Sequence, residues 1–171
     1  IIIQIDLVTR KLQTDYQMSV KRFTAEENLK ERQNIKTYFA QGMYQVITAI
    51  KCLDEGVNIP GIKTAFIMSS SINPKEFVQR RGRLLRKSDN KKKAKIYDFI
   101  TLPRELDNVQ YGDIDEDKTI IVGEVARMLE FGRLSDNPEV TDRLVNKIMT
   151  AYDYFFDAEE EMEKMEEYYG E

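Results

Sequence analysis

Apolar residues change their spacing several times along the 171-residue chain. Ile1 to Ile5 is a short apolar run closed by Asp6, the pattern of a buried strand. Leu7 to Gln17 fits a short helix, and Ser19 to Phe23 alternates as a half-buried strand does. From Thr24 to Gln41 the spacing predicts a helix with Leu29, Ile35, Tyr38 and Phe39 on one broad face, a capping pair at Thr24 and Glu27, and a stop at Gly42. Gln45 to Ile50 is apolar on both faces, as buried parallel strands are. A turn containing Gly56, Pro60 and Gly61 leads to a strand from Thr64 to Met68. A helix opens at Asn73-Pro74, and Ala94 to Ile100 is a last strand before Pro103. Strands alternating with helices predict an α/β fold, a parallel sheet flanked by helices.

Beyond Pro103 the pattern changes. Residues 1–103 read as one α/β lobe, 104–118 as an irregular acidic connector, and 119–171 as a helical extension. The extension splits into helices over Thr119 to Leu134 and Pro138 to Tyr169, the second about 48 Å long at 1.5 Å per residue. Its apolar stripe runs through Leu144, Ile148, Tyr152, Phe155 and Met162, but a heptad seam through Val145 and Ile148 meets Glu159 and Glu166. That argues against a long coiled coil. It favours packing on the α/β body at one end and on a further domain or a protein partner at the other.

Composition narrows the chemistry mostly by exclusion. There is no His, which removes Ser-His-Asp and Cys-His nucleophilic sites and all His-ligated metals, and the single Cys52 forms no internal disulfide. A reducing, cytoplasmic setting is expected. No apolar run approaches the roughly 20 residues that span a bilayer. A start at Ile1 rather than Met suggests a piece of a longer protein.

The net charge of −4 conceals two opposed blocks. Residues 75 to 95 hold ten Lys and Arg against Glu76 and Asp89, a local +8, while residues 153 to 171 hold nine acids against Lys164, a local −8. A basic block points to phosphate, in a nucleotide or a nucleic-acid backbone. The competing reading is a solvated surface helix followed by a lysine loop, so spacing has to discriminate.

The segment NPKEFVQRRGRLLRK, from Asn73, begins with Asn as cap, Pro at the first helical position and Glu at the third. Gln79, Arg83 and Arg86, at i, i+4 and i+7, fall within an arc of about 60° on an α-helix, with Phe77, Val78, Leu84 and Leu85 on the other side. An amide and two guanidiniums aimed from one rigid face make a phosphate-reading surface. Gly82 in a helix interior costs about 1 kcal/mol against Ala, so a close approach to its backbone is expected. The plain alternative is an amphipathic surface helix with scattered arginines.

Gln79-Arg80-Arg81-Gly82-Arg83-Leu84-Leu85-Arg86 resembles the QxxGRxxR motif VI of superfamily-two helicases. Val46-Ile47-Thr48-Ala49, followed by Leu53-Asp54-Glu55-Gly56-Val57-Asn58-Ile59-Pro60, resembles motif V, and Arg32, Ile35, Phe39 and Gly42 resemble the helix before it. The run from Gly82 to Ile100 is similar to that of the XPB-like and restriction-type branch, and Glu130 to Pro138 is similar to a helical tail of that branch. The resemblance covers about residues 18 to 102, with the motifs in order.

This resemblance implies the second RecA-like lobe of an ATP-driven DNA helicase or translocase. Arg83 and Arg86 are then arginine fingers acting on the transferred γ-phosphoryl, and Gln79 couples to the same phosphate. Thr48, Ala49 and Ser69 are implied contacts to nucleic acid, DNA rather than RNA; Lys91 and Lys92, in the loop that joins the motif VI helix to the last strand, read first as a solvated turn and otherwise as contacts to the DNA backbone. Gly56 permits the motif V turn, and Asn58 stands near the nucleotide ribose where many relatives have Asp. The implied cofactor is ATP with Mg²⁺, held mainly by an N-terminal lobe outside these residues. The chain alone is therefore expected to be inactive. Arg81 stands where Ile or Leu is usual, inside the apolar arc, and has to find an acid or reach solvent.

Other motifs carry less. Gly56 to Thr64 comes within one residue of a phosphate-binding loop, but Ile62 separates Gly61 from Lys63 and Pro60 removes an amide. Asp54-Glu55 and Glu159-Glu160-Glu161 fit solvated acids better than metal ligands. The alternative to a motor lobe is a non-catalytic module of RecA-like fold that binds nucleic acid or docks a partner.

Overall fold

The computed structural model describes residues 2–50, 62–69, 71, 73–86 and 91–168. In chain order its elements are α1 (Ile2–Thr14), β1 (Val20–Phe23), α2 (Leu29–Ala40), β2 (Val46–Ala49), β3 (Thr64–Ile67), α3 (Pro74–Leu84), β4 (Lys95–Asp98), a 3₁₀ turn (Leu106–Asn108), α4 (Ile114–Gly132), α5 (Pro138–Ala151) and α6 (Ala158–Tyr168). The chain divides into two compact units, residues 1–63 with 82–94 and residues 64–81 with 95–171.

In the first unit β1 and β2 pair in parallel, with Val20 opposite Val46 and Phe23 opposite Ala49. Phe23 and Ile35 form its buried centre, with Phe39, Ile47 and Ile62 packed around them. The run expected as a strand at Ile1 to Ile5 is instead the start of α1. Ile5, Val8, Thr9 and Leu12 recur at i, i+3, i+4 and i+7 and are the residues α1 turns inward. Apolar content at the front of this segment hides a helical period that appears only over its whole length. Helix α2 also starts later than Thr24. Asn28 accepts from the Glu31 backbone N–H while Glu31 accepts from the Asn28 N–H, a full capping box. The Thr24 and Glu27 pair closes a separate turn ahead of it, with the Thr24 N–H donating to Glu27 Oε2 at 2.6 Å. The stop at Gly42 is as expected. Its φ is +77°, and the Met43 and Gly42 N–H groups return to Tyr38 O and Phe39 O, which is a Schellman closure.

In the second unit β3 and β4 pair in parallel, Thr64 opposite Lys95 and Ile67 opposite Asp98. Helix α4 begins at Ile114, inside the stretch expected as connector. Its first turn carries Asp115, Glu116 and Asp117, where the helix dipole favours acids. Ile121, Val125 and Met128 of α4 meet Val145, Ile148 and Met149 of α5 and Tyr152 just past its end, and Ile100, Leu102, Leu106 and Val109 from the preceding segment pack on them. At Gly132 the helices touch closely: a β-carbon there would sit 2.7 Å from Thr141.

The single long helix from Pro138 to Tyr169 does not form. Asp153 takes φ +46°, the Tyr154 N–H returns to Met149 O at 3.0 Å, and the Asp153 N–H to Thr150 O at 3.2 Å. This closure ends α5, and α6 starts anew with Asp157 accepting from the Glu159 N–H at 2.8 Å. Among the described residues no helix is long and apolar enough to cross a membrane.

Candidate functional site

Helix α3 carries the densest candidate chemistry. Asn73 Oδ1 accepts from the Lys75 N–H at 3.0 Å, and Pro74 occupies the first helical position, where its missing N–H costs nothing. Phe77, Arg81 and Leu84 follow at i, i+4 and i+7, so they share one stripe. Phe77 and Leu84 are fully buried.

A guanidinium on that stripe needs a partner, and Arg81 has one. Its Nη1 donates to Glu130 O at 2.6 Å and lies 2.5 Å from Glu130 Oε1, with both side chains mostly buried. Glu130 is in the last turn of α4, whose carbonyls lack helical partners and attract cations. Beside this pair, Phe77 meets Phe131 edge to face, ring centres 6.3 Å apart.

Gln79 and Arg83 lie one turn apart on the opposite side of α3, Gln79 exposed and Arg83 half-buried. Arg86 departs from the expected arc. The helix ends at Leu84, so the exposed Arg86 is placed by the exit turn, its N–H reaching Arg83 O at 3.4 Å. Gly82 is exposed and nothing lies within 4 Å of where its β-carbon would be. The close approach expected there is not made by any described part of the chain.

Lys91 differs from its expected role as a phosphate contact. It is buried, its ammonium donates to Leu84 O, and burial pulls its pKa below the ordinary lysine range. A lysine on the terminal carbonyl of α3 is a C-terminal cap. Lys92, next to it, is exposed. Thr48 is likewise turned inward. Its hydroxyl lies 2.7 Å from the Thr9 hydroxyl, both buried, which ties α1 to the end of β2. Ala49 and Ser69, at the ends of β2 and β3, are exposed. Gly56 and Asn58 lie outside the described residues, as do Asp54, Glu55 and Cys52.

The outward donors of this segment are an amide and guanidiniums, a set suited to polyphosphate oxygens rather than to a cation. Among the described residues no group of three acid or thiol side chains could hold a metal ion. Sequence reasoning missed Glu130. Its signal was an acid set among Met128, Leu129 and Phe131, in a stretch otherwise fit for burial.

Residues 2–88 match the family described as the helicase conserved C-terminal domain. The DNA 3'-5' translocase XPB2 of Sulfurisphaera tokodaii is 34% identical over 102 residues, which cover 57% of this chain and 23% of that relative. The chain therefore spans about a quarter of the length of the relative it matches. A solved structure, that of the C-terminal part of the Fun30 ATPase domain, superposes with a TM-score of 0.51 at 17% identity, covering 77% of this chain and 46% of that one. At that identity the likeness is one of fold, the RecA-like arrangement of parallel strands and flanking helices.

Proposed function

The chain belongs to the helicase conserved C-terminal domain family, and we propose on that premise that it is the second RecA-like lobe of an ATP-dependent DNA translocase or helicase of XPB-like type. It works against a first lobe that holds most of the nucleotide, in the reducing interior of the cell. The observation that carries this is Gln79 and Arg83 on one side of a capped helix whose other side is locked down by Phe77 and Leu84.

Phosphoryl transfer asks little covalent chemistry of a protein and much positioning of positive charge. Bound ATP with Mg²⁺ supplies the γ-phosphoryl at the lobe interface. Arg83 and Arg86 present guanidiniums to the charge that develops on it, and Gln79 senses the same group through its amide. The contribution is one of placement, a planar donor fork held at a fixed point. We assign nucleic-acid backbone contacts to the exposed Ala49, Ser69 and Lys92, each within its own unit, and leave to Thr48 the support of the β2 end from within. To Gly56 and Asn58, outside the described residues, we assign contact with the nucleotide.

The decisive experiment is Arg83→Ala in the protein containing both lobes. DNA-stimulated ATP hydrolysis should fall by about 10³-fold or more, the worth of an arginine finger in the GTPase examples. DNA affinity and the unfolding midpoint should stay near wild type. Turnover close to wild type would remove Arg83 from the catalytic role.

A further inference from the structure

We propose that Arg81 is a positioning residue through which the helical extension sets the angle of the arginine-finger helix. The inference rests on the function proposed above and adds to it a role for α4.

Arg81 precedes Arg83 by two residues on the same helix, and it is the one charged member of the stripe Phe77, Arg81, Leu84. Its guanidinium takes two acceptors on one residue, the Glu130 carboxylate and the Glu130 backbone carbonyl, at 2.5 and 2.6 Å. The carbonyl belongs to the last turn of α4, and the Arg133 N–H that caps the helix bonds to Leu129 O instead. Arg81 therefore supplies a donor to a carbonyl at the negative end of the helix dipole as well as a countercharge to a shielded acid. The Phe77–Phe131 contact repeats the junction one residue further along α4 and one turn back along α3. Two contacts four residues apart on α3 fix both the rotation of that helix about its axis and its tilt. An apolar residue at 81 would fill the space but could not fix the rotation, because dispersion contacts are non-directional while a guanidinium fork is not.

Rotation is the coordinate that matters for Arg83. Its guanidinium stands several bonds from the helix axis, so a small turn of α3 sweeps it through about an ångström. A misplacement of that size costs on the order of 10²-fold in rate. The motor's rate is thereby linked to whatever holds α4.

The test is steady-state ATPase kinetics on the two-lobe protein carrying Arg81→Leu, Glu130→Gln, Arg81→Lys or Arg83→Ala. Arg81→Leu should lower kcat by about 10- to 100-fold with KM for ATP within about twofold of wild type. Arg81→Lys, which restores the charge and a donor, should recover most of the loss. Glu130→Gln keeps the carbonyl and the side-chain shape, so it folds even if Arg81→Leu does not, and it should lower kcat by several-fold. Wild-type kcat in both Arg81→Leu and Glu130→Gln, with Arg83→Ala inactive, overturns the positioning role and leaves the finger standing. So does a loss in Arg81→Leu that follows the unfolded fraction alone and vanishes at lower temperature. An active Arg83→Ala overturns the finger assignment, and the positioning role falls with it.

Discussion

Arg127 Nε donates to Asp98 Oδ2 at 2.9 Å, which fastens the middle of α4 to the last residue of β4. Arg127 has no solvent exposure, and it also donates to both oxygens of Glu124, at 2.8 and 2.7 Å, and to Phe99 O. The second Glu124 oxygen accepts the Thr101 N–H at 3.0 Å. The guanidinium fork thus closes a knot of two carboxylates and two backbone groups at the exit of the second sheet. One cation faces two acids. Burial outweighs the pull of Arg127 and raises the pKa of Asp98, whose Oδ1 has no hydrogen-bond partner among the described residues.

Removing the cation should be far worse than its single charge suggests. Arg127→Met leaves Asp98 and Glu124 buried against each other, so stability should fall by about 3–5 kcal/mol, the usual cost of breaking a buried pair from one side. Urea unfolding at pH 7 measures it. The deficit should shrink as pH is lowered toward 4, because protonation removes the repulsion that Arg127 no longer offsets. A deficit independent of pH would mean that lost packing, not charge, dominates.

A further buried acid, Asp117, behaves in the opposite sense to Asp98. Asp117 accepts from Arg104 Nε at 2.7 Å and Nη2 at 3.1 Å and from the Tyr152 hydroxyl at 2.9 Å. The hydrogen bond from Arg104, ahead of the opposing effect of burial, lowers its pKa, while burial and then the bond to Asp117 push Tyr152 up to about 12. A carboxylate whose folded pKa is depressed stabilises the fold above its unfolded value of about 3.9 and loses that contribution as pH falls through the folded one. Wild type should therefore exceed Asp117→Asn in stability at pH 6, and the gap should close progressively below about pH 4. Tyr152→Phe should cost about 1.5 kcal/mol at pH 7, one hydrogen bond to a charged acceptor. Thermal unfolding of the three proteins across that range checks both. A constant gap would exclude the ionised carboxylate as its source.

How much of this was legible depends on whether the deciding interaction is local. Gly42 as the stop of α2, the strands at Val46–Ala49 and Lys95–Asp98, and the start of α3 at Pro74 follow from neighbours in sequence, and they came out within a residue or two. The helix from Pro138 to Tyr169 failed for a reason no apolar stripe reveals. Asp153, an ordinary polar residue in the pattern, takes the left-handed conformation because Tyr154 and its own N–H close onto the α5 carbonyls, with Tyr154 packed against the helical core. At the site, the one-turn spacing of Gln79 and Arg83 was readable. The inward Thr48 and Lys91 were not, because Thr9 lies 39 residues away in sequence and the Leu84 carbonyl becomes an acceptor only once the helix has ended there. The anomaly of Arg81 was visible as a charge in an apolar arc; its partner, 49 residues further on, needed the fold.

Gly82 offers the sharpest separation between what this chain needs and what an enzyme needs. It lies within the last turn of α3, exposed, with open space where a β-carbon would go. For the chain by itself glycine is a cost, about 0.5–1 kcal/mol against Ala in a helix interior. On an ideal helix it lies about 60° from Gln79, at the border of the arc that holds the candidate catalytic groups. A methyl group there touches nothing in this chain but projects toward whatever binds that face. Gly82→Ala should raise the unfolding free energy of the chain by about 0.5–1 kcal/mol and at the same time depress DNA-stimulated ATP hydrolysis in the two-lobe protein. Denaturant unfolding and ATPase assays on the same substitution check the two arms separately. Gained stability with full activity would show that the first lobe and its nucleotide do not approach Gly82. Lost stability would show that the apparent open space is occupied.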